Sequence, residues 1–233
     1  MGLVWLLPPT CGVLLQPCFG FWSDHCHSPV GKRKAFIVGG GVSLSLFLLT
    51  FAWASEIARS FGEMVGSKNC SVPTSICTGT QSLALISLMG INVSAQAIQA
   101  GARALIVDQC PRHLQTQANA WGSRISNIAS IFIYFVSSLN ISRIAPVLGD
   151  TQLKNLSLLG IFTLLVTIGT TCLGITETKT QTDNMEMIAP NTYPFFKQLQ
   201  FSLSTLPPQL NRIHSVQFFS WFAWYPFMVY ISM

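Results

Sequence analysis

The chain has 233 residues, half of them hydrophobic and only 9% charged, with a formal net charge of +5 at pH 7. Soluble domains carry roughly 25% charged residues, so this composition excludes an ordinary soluble enzyme and points to an all-α integral membrane protein that crosses the bilayer several times. The positive charge is small and dispersed; it suits loops facing anionic lipid and excludes a nucleic-acid surface.

Six apolar segments follow one another: 3–22, 35–54, 81–107, 118–139, 156–175 and 216–233. An apolar run of about 20 residues spans a bilayer as a helix. The first segment lacks a basic leader and ends in Asp24-His25-Cys26-His27 instead of a small-residue cleavage site, so it reads as a membrane helix and not a signal peptide. Gly2 is followed by Leu6, where a myristoylation signal needs Ser or Thr. Residues 23–34 then form a tight charged turn. Lys32, Arg33 and Lys34 sit together there, which puts the turn on the cytoplasmic side. Asp24 closes the first helix, where a carboxylate beside three cations can latch neighbouring helix ends.

In the second segment, Gly39-Gly40-Gly41 lies inside a helix and serves packing rather than phosphate binding. Loop 55–80 falls on the opposite side. It holds Cys70 and Cys77, which can form a disulfide in an oxidising compartment, and the glycosylation sequon at Asn69. Further sequons at Asn140 and Asn155 lie closer to the membrane.

Segment 81–107 is the most informative. Asn92, Gln96, Gln99 and Arg103 are spaced +4, +3 and +4, which at roughly 100° per residue makes one stripe about 16 Å long. A cation and three carboxamides are expensive in a span unless they face a cavity or partner helices. Carboxamides and guanidinium are good donors to sugar hydroxyls, and Arg also binds carboxylates. The stripe therefore either lines a substrate cavity or is structural, with Arg103 pairing with Asp108 or capping the cytoplasmic helix end. Loop 108–117 is cytoplasmic. Segment 118–139 carries Asn119, Ser123, Asn127 and Ser130 at near-helical spacing with Arg124 alongside; small polar residues often join membrane helices.

After an outside loop, 140–155, and the span 156–175, residues 176–215 change character. Acidic residues, Thr, Gln and four prolines suggest a partly disordered cytoplasmic linker. The last segment is dense in aromatics, from Phe218 to Phe227 around Pro226. The expected organisation is thus five helices of one bundle in 1–175, a linker in 176–215, and the start of a second bundle in 216–233. In this topology the inside loops hold seven Lys and Arg (Lys32, Arg33, Lys34, Arg112, Lys179, Lys197, Arg212) and the outside loops four (Arg59, Lys68, Arg143, Lys154), the sign expected for membrane proteins.

Cys11, Cys18 and Cys172 lie in apolar segments and read as packing residues, while Cys26 and Cys110 flank cytoplasmic turns. His25-Cys26-His27 has no second ligand cluster to complete a metal site. The spans lack the paired carboxylates of a membrane enzyme, and nothing implies a cofactor.

Several separated motifs carry a family resemblance over nearly the whole chain. Leu3-Val4-Trp5 to Asp24, followed by Gly31-Lys32-Arg33-Lys34, resembles the second helix and following loop of the sucrose and alpha-glucoside carriers of the major facilitator superfamily. Gln99 through Arg103-Ala104-Leu105 to Asp108 is similar to their fourth helix, Gln117-Ala118-Asn119-Ala120-Trp121 to the start of their fifth, and Gln217 through Trp221 to Phe227 to their seventh. The fungal members are the nearest in pattern. The resemblance implies a partial major facilitator bundle of about six transmembrane helices, a multi-pass protein of the plasma membrane, sucrose or a related alpha-glucoside as substrate, protons as coupling ion, and alternating access of two bundles as mechanism. It gives Asn92, Gln96, Gln99 and Arg103 a place along the sugar path, and Asp24, Gly31, Lys32, Arg33 and Asp108 a place at the cytoplasmic gate. Two departures stand out. The chain begins at the family's second helix and stops within the seventh, so the alternative expectation is a truncated, transport-inactive piece or a fragmentary gene model of such a carrier. Where the family has an acidic residue implicated in coupling, this chain has Asn92, which cannot titrate.

Overall fold

A computed structural model describes residues 7–26, 31–64, 78–111, 113–139, 151–175 and 208–231. Among them seven α-helices follow in chain order: α1 (Leu7–His25), α2 (Lys32–Ala52), α3 (Ala54–Met64), α4 (Thr78–Gln109), α5 (Gln115–Ser138), α6 (Gln152–Gly174) and α7 (Pro208–Ile231). Each of the six apolar segments overlaps a helix. Three stretches, Arg33–Ala52, Gly79–Gln109 and Gln152–Gly174, are long and apolar enough to cross a membrane by length and composition. The helices lying over segments 3–22 and 118–139 carry prolines or a row of polar side chains that dilute their apolar character.

Residues 10–177 form one unit, in which α2 is the central element, packed against α4 and, on another side, against α6. Small residues make this possible. A Cβ added at Gly40 would lie 2.9 Å from Ile98 Cγ1 and 3.2 Å from the Ser94 carbonyl oxygen, and one added at Gly101 would lie 3.0 Å from Ile37 Cγ1. Glycines on both helices thus let the two backbones meet, as expected where dispersion packing rather than the hydrophobic effect joins helices. Gly90 receives the ring of Phe47 in the same way, and Gly41 receives Ile168 of α6.

Polar contacts fix the directions. Arg33 at the start of α2 meets Asp108 at the end of α4, while Thr50 near the end of α2 accepts from Ser87 at 3.1 Å. Lys34 reaches Cys172 near the end of α6, and Trp53 lies beside Lys154 near its start. Both α4 and α6 therefore run antiparallel to α2, so the turn 23–34 and the ends of α4 and α6 share one side. The loop alternation expected from charge places them together as well.

Burial is reversed relative to a soluble protein. The buried residues are mostly small or polar, including Cys11, Ser23, Ser45, Ser87, Ser94 and Ala97, while Val13, Leu14, Ile125, Phe132 and Leu173 are exposed. Large apolar side chains turned outward suit a lipid solvent.

One helix differs from expectation. Residues 55–64 were expected in an outside loop, yet α3 follows α2 after a single break at Trp53, whose carbonyl accepts from Glu56 at 3.1 Å and Ile57 at 3.0 Å. Ala54, Ile57 and Ala58 are turned inward and Ser55, Arg59 and Ser60 outward, and α3 packs against α4. α6 also begins earlier than the span expected at 156, because Thr151 caps it by accepting from the Lys154 amide. In the second unit, α7 starts at Pro208, inside the segment expected to be linker, where a missing amide hydrogen costs nothing. It stacks Phe218 on Phe222 at 6.3 Å, with Phe219 edge-on to Phe218 at 5.6 Å.

Candidate functional site

The carboxamide stripe of α4 faces α1. Gln16 of α1 donates from Nε2 to Gln96 Oε1 and to Gln99 Oε1, both at 2.7 Å. Gln96 is half-buried and Gln99 exposed. One turn before Gln16, Gly12 leaves room for the Gln96 carboxamide, which lies 3.8 Å from where a Cβ would stand. Asn92 Nδ2 donates to the Leu88 carbonyl oxygen at 2.8 Å, within its own helix. Arg103 is exposed one turn beyond Gln99. The spacing of the four α4 residues identified the stripe. It did not identify Gln16, a lone carboxamide in an apolar run; its one signal is that it stands near mid-helix, where a polar group needs a partner.

At the end expected to be cytoplasmic, Gly31 precedes α2 with φ 119°, a left-handed conformation that glycine adopts without strain. This lets Arg33 enter the first turn of α2 pointing back at its neighbours. Its Nε donates to Asp108 Oδ2 at 2.8 Å and its Nη1 to Ser23 Oγ at 3.0 Å. One guanidinium thereby joins α1, α2 and α4. Asp108 pairs with Arg33 and not with Arg103, as one expectation had it. Residues five apart on a helix are separated by roughly 140° and face different ways, whereas Arg33 arrives from another helix. Next to it, the buried Lys34 donates to the Cys172 carbonyl oxygen at 3.1 Å, placing a cation at the negative end of α6. Asp24 and Lys32 are placed in backbone at the end of α1 and the start of α2; their side chains lie outside the described residues.

At the opposite end, Lys154 is buried, pairs with Glu56 and lies 5.4 Å from the centre of the Trp53 ring. Asn155 beside it is 1% exposed, and neither side-chain polar atom has a partner among the described residues. Such a group costs about 1–3 kcal/mol. Its burial also hides the sequon at 155, while Asn69, Asn140, Cys70 and Cys77 lie outside the described residues. Cys11, Cys18, Cys26, Cys110 and Cys172 are free thiols. No cluster of three His, Cys, Asp or Glu able to hold a metal occurs among the described residues.

α5 has no buried residue. Ser123 and Ser130 donate to carbonyls of their own helix, at Asn119 and Ser126, and Arg124 sits 5.3 Å over Trp121. Gln115 donates to the Val107 and Cys110 carbonyls that end α4, and Gln152 to those of Ser137 and Leu139 that end α5, so carboxamides close two of the helix ends.

No family model matches the chain. Among curated proteins it is similar to the general alpha-glucoside permease of Schizosaccharomyces pombe, with 29% identity over 99% of this chain and 40% of that protein. It is also similar to the sucrose transport protein SUT2 of Oryza sativa, with 28% identity over 98% of this chain and 47% of that protein. The chain thus spans less than half the length of these relatives. The likeness is to proteins named as an alpha-glucoside permease and a sucrose transporter, and it agrees with three helices long and apolar enough to cross a membrane.

Proposed function

We propose, on the premise of its similarity to sucrose and alpha-glucoside transporters, that this chain supplies sugar-facing helices of a membrane carrier for a disaccharide. The observation that carries the reading is the row of Gln16, Gln96, Gln99 and Arg103 across two adjacent helices. Carboxamides and a guanidinium offer directed hydrogen bonds to hydroxyl and ring oxygens, and a mid-span position is where carriers of this kind hold substrate.

In the proposed mechanism Gln96 and Gln99 hold sugar oxygens, with Arg103 as a further donor toward the cytoplasmic end. Asn92 lines the path. The helices move as a body between two orientations, giving alternating access. Arg33, with Asp108 and Ser23, keeps the cytoplasmic ends of α1, α2 and α4 together during that movement, with Asp24, Gly31 and Lys32 completing the gate. The plasma membrane is the proposed location.

The test is equilibrium binding of radiolabelled sucrose and maltose to the detergent-purified chain, together with uptake by cells expressing it. Saturable binding of either sugar, competed by the other, supports the reading. Absence of sugar-specific binding in folded protein overturns it.

A further inference from the structure

We infer that Gln16 is a positioning residue that sets the hydrogen-bonding polarity of the site, turning Gln96 and Gln99 into donors toward ligand oxygens that can only accept. The inference rests on the carrier reading above. Its basis is an inventory of hydrogens. A primary carboxamide carries two N–H donors and one carbonyl oxygen. Gln16 Nε2 directs its donors to two oxygens, Gln96 Oε1 and Gln99 Oε1, each at 2.7 Å. With the oxygen of each α4 carboxamide engaged by Gln16, its Nε2 hydrogens are the donors left for a ligand. Two such groups bring four N–H donors. Asn92, one turn from Gln96, spends an Nδ2 hydrogen on the Leu88 carbonyl oxygen and keeps an acceptor oxygen, so the donor face is the stretch from Gln96 through Gln99 to Arg103. Arg103, on the same stripe, is a donor only.

A face so arranged selects for acceptors. Hydroxyls donate as well as accept, but ring and glycosidic oxygens of a disaccharide accept only. A linear polyol has hydroxyls and no acetal oxygen. The arrangement therefore favours glycosides over polyols of similar polarity. Gln16 need not touch the sugar to have this effect. It acts by fixing which way round two other carboxamides stand.

Replacing Gln16 by Glu keeps the size and reverses the chemistry. A carboxylate accepts only, so Gln96 and Gln99 must turn their Nε2 groups toward it and present oxygens to the path. Gln16→Asn keeps the chemistry and shortens the reach, so both oxygens can no longer be held together. Gly12→Ala is the control, because a Cβ there makes an ordinary contact at 3.8 Å with the Gln96 carboxamide.

The experiment uses the detergent-purified chain with ¹⁵N-labelled glutamine. Side-chain amide resonances of Gln96 and Gln99 are assigned by substitution and followed during titration with sucrose, maltose and mannitol. Expected in Gln16→Glu are displaced Gln96 and Gln99 resonances, sucrose and maltose affinity lower by about tenfold, the equivalent of one hydrogen bond of about 1.4 kcal/mol, and a collapsed preference for sucrose over mannitol. Gln16→Asn should show a smaller displacement of the same two resonances, and Gly12→Ala unchanged affinity. Wild-type affinity and an unchanged sucrose-to-mannitol ratio in Gln16→Glu would overturn the inference, as would resonances that stay in place. If neither sugar perturbs any glutamine resonance in the wild-type chain, the carrier reading fails instead, and the resonances in Gln16→Glu still decide whether Gln16 orients its neighbours.

Discussion

Arg33 and Arg103 show how differently two guanidiniums can be used within one helix pair. Arg33 is enclosed by Asp108 and Ser23, and Arg103 is exposed on the carboxamide face. Arg103→Lys keeps the charge and loses the planar fork of donors. In a full-length carrier bearing this helix pair, the expected outcome is sugar uptake lowered at least tenfold with normal membrane insertion, measured as initial rates against surface-labelled protein. For Arg33 the expected effect is on stability. Asp108 is 41% exposed, so solvent screens the pair and its own worth is about 1 kcal/mol or less. Asp108→Asn, which keeps an acceptor, should therefore lower the melting midpoint in detergent only slightly, and Arg33→Leu, which also strands Ser23 and Asp108, should lower it more. Asn92 supports a third prediction. Its amide donates to the Leu88 carbonyl. In Asn92→Asp the neutral acid can make the same bond and the carboxylate cannot, so proton binding becomes linked to local structure. In a full-length carrier bearing this helix, sugar accumulation into vesicles driven by an inwardly directed proton gradient, acidic outside, should appear in Asn92→Asp and be weak with Asn92 present. Strong accumulation with Asn92 would place coupling at another residue.

At the scale of helices, the contact between α2 and α4 depends on which glycine is considered. Gly40 meets the backbone of α4, while the neighbouring Gly39 has nothing within 4 Å of an added Cβ. Gly40→Ala must push the helices apart and should cost about 1–3 kcal/mol. Gly39→Ala removes backbone freedom without a clash and should be neutral or stabilising by up to about 1 kcal/mol. Thermal melting in detergent compares the two directly, and equal midpoints would refute close packing of α2 on α4. The sequence identified Gly39-Gly40-Gly41 as a packing element but could not rank its members, because the ranking depends on which face of α2 meets α4. The same limit explains α3. Its share of apolar residues is too low for a span, and its signal is instead the helical spacing of Ala54, Ile57 and Ala58, which a search for long apolar runs passes over.

At the scale of the whole chain, hydropathy placed a helix in each of the six apolar segments, and loop charge grouped the turn 23–34 with the ends of α4 and α6, since both signals follow from the demands of a bilayer. Long-range partners were not legible. Arg33 and Asp108 are 75 residues apart, and Gln16 and Gln96 are 80 apart; no local period links them. The topology yields a direct check. In a background without other cysteines, His113→Cys should react with an impermeant thiol reagent from the cytoplasmic face and Ser55→Cys from the other. Both positions are exposed, and labelling of the two from one side would refute the arrangement.

The isolated carboxamide of Asn155 bears on the birth of the protein. Glycan transfer needs an acceptor asparagine on an accessible, pliable backbone. Once the start of α6 has closed over Asn155 that opportunity has passed, so a sugar chain there would record slow or failed assembly. The sequon would work as a timer for biogenesis, silent in chains that pack promptly. In cells that glycosylate, Gly40→Ala should raise the fraction of chains whose glycosidase-sensitive gel shift is abolished by Asn155→Gln, and the parent chain should show little of it.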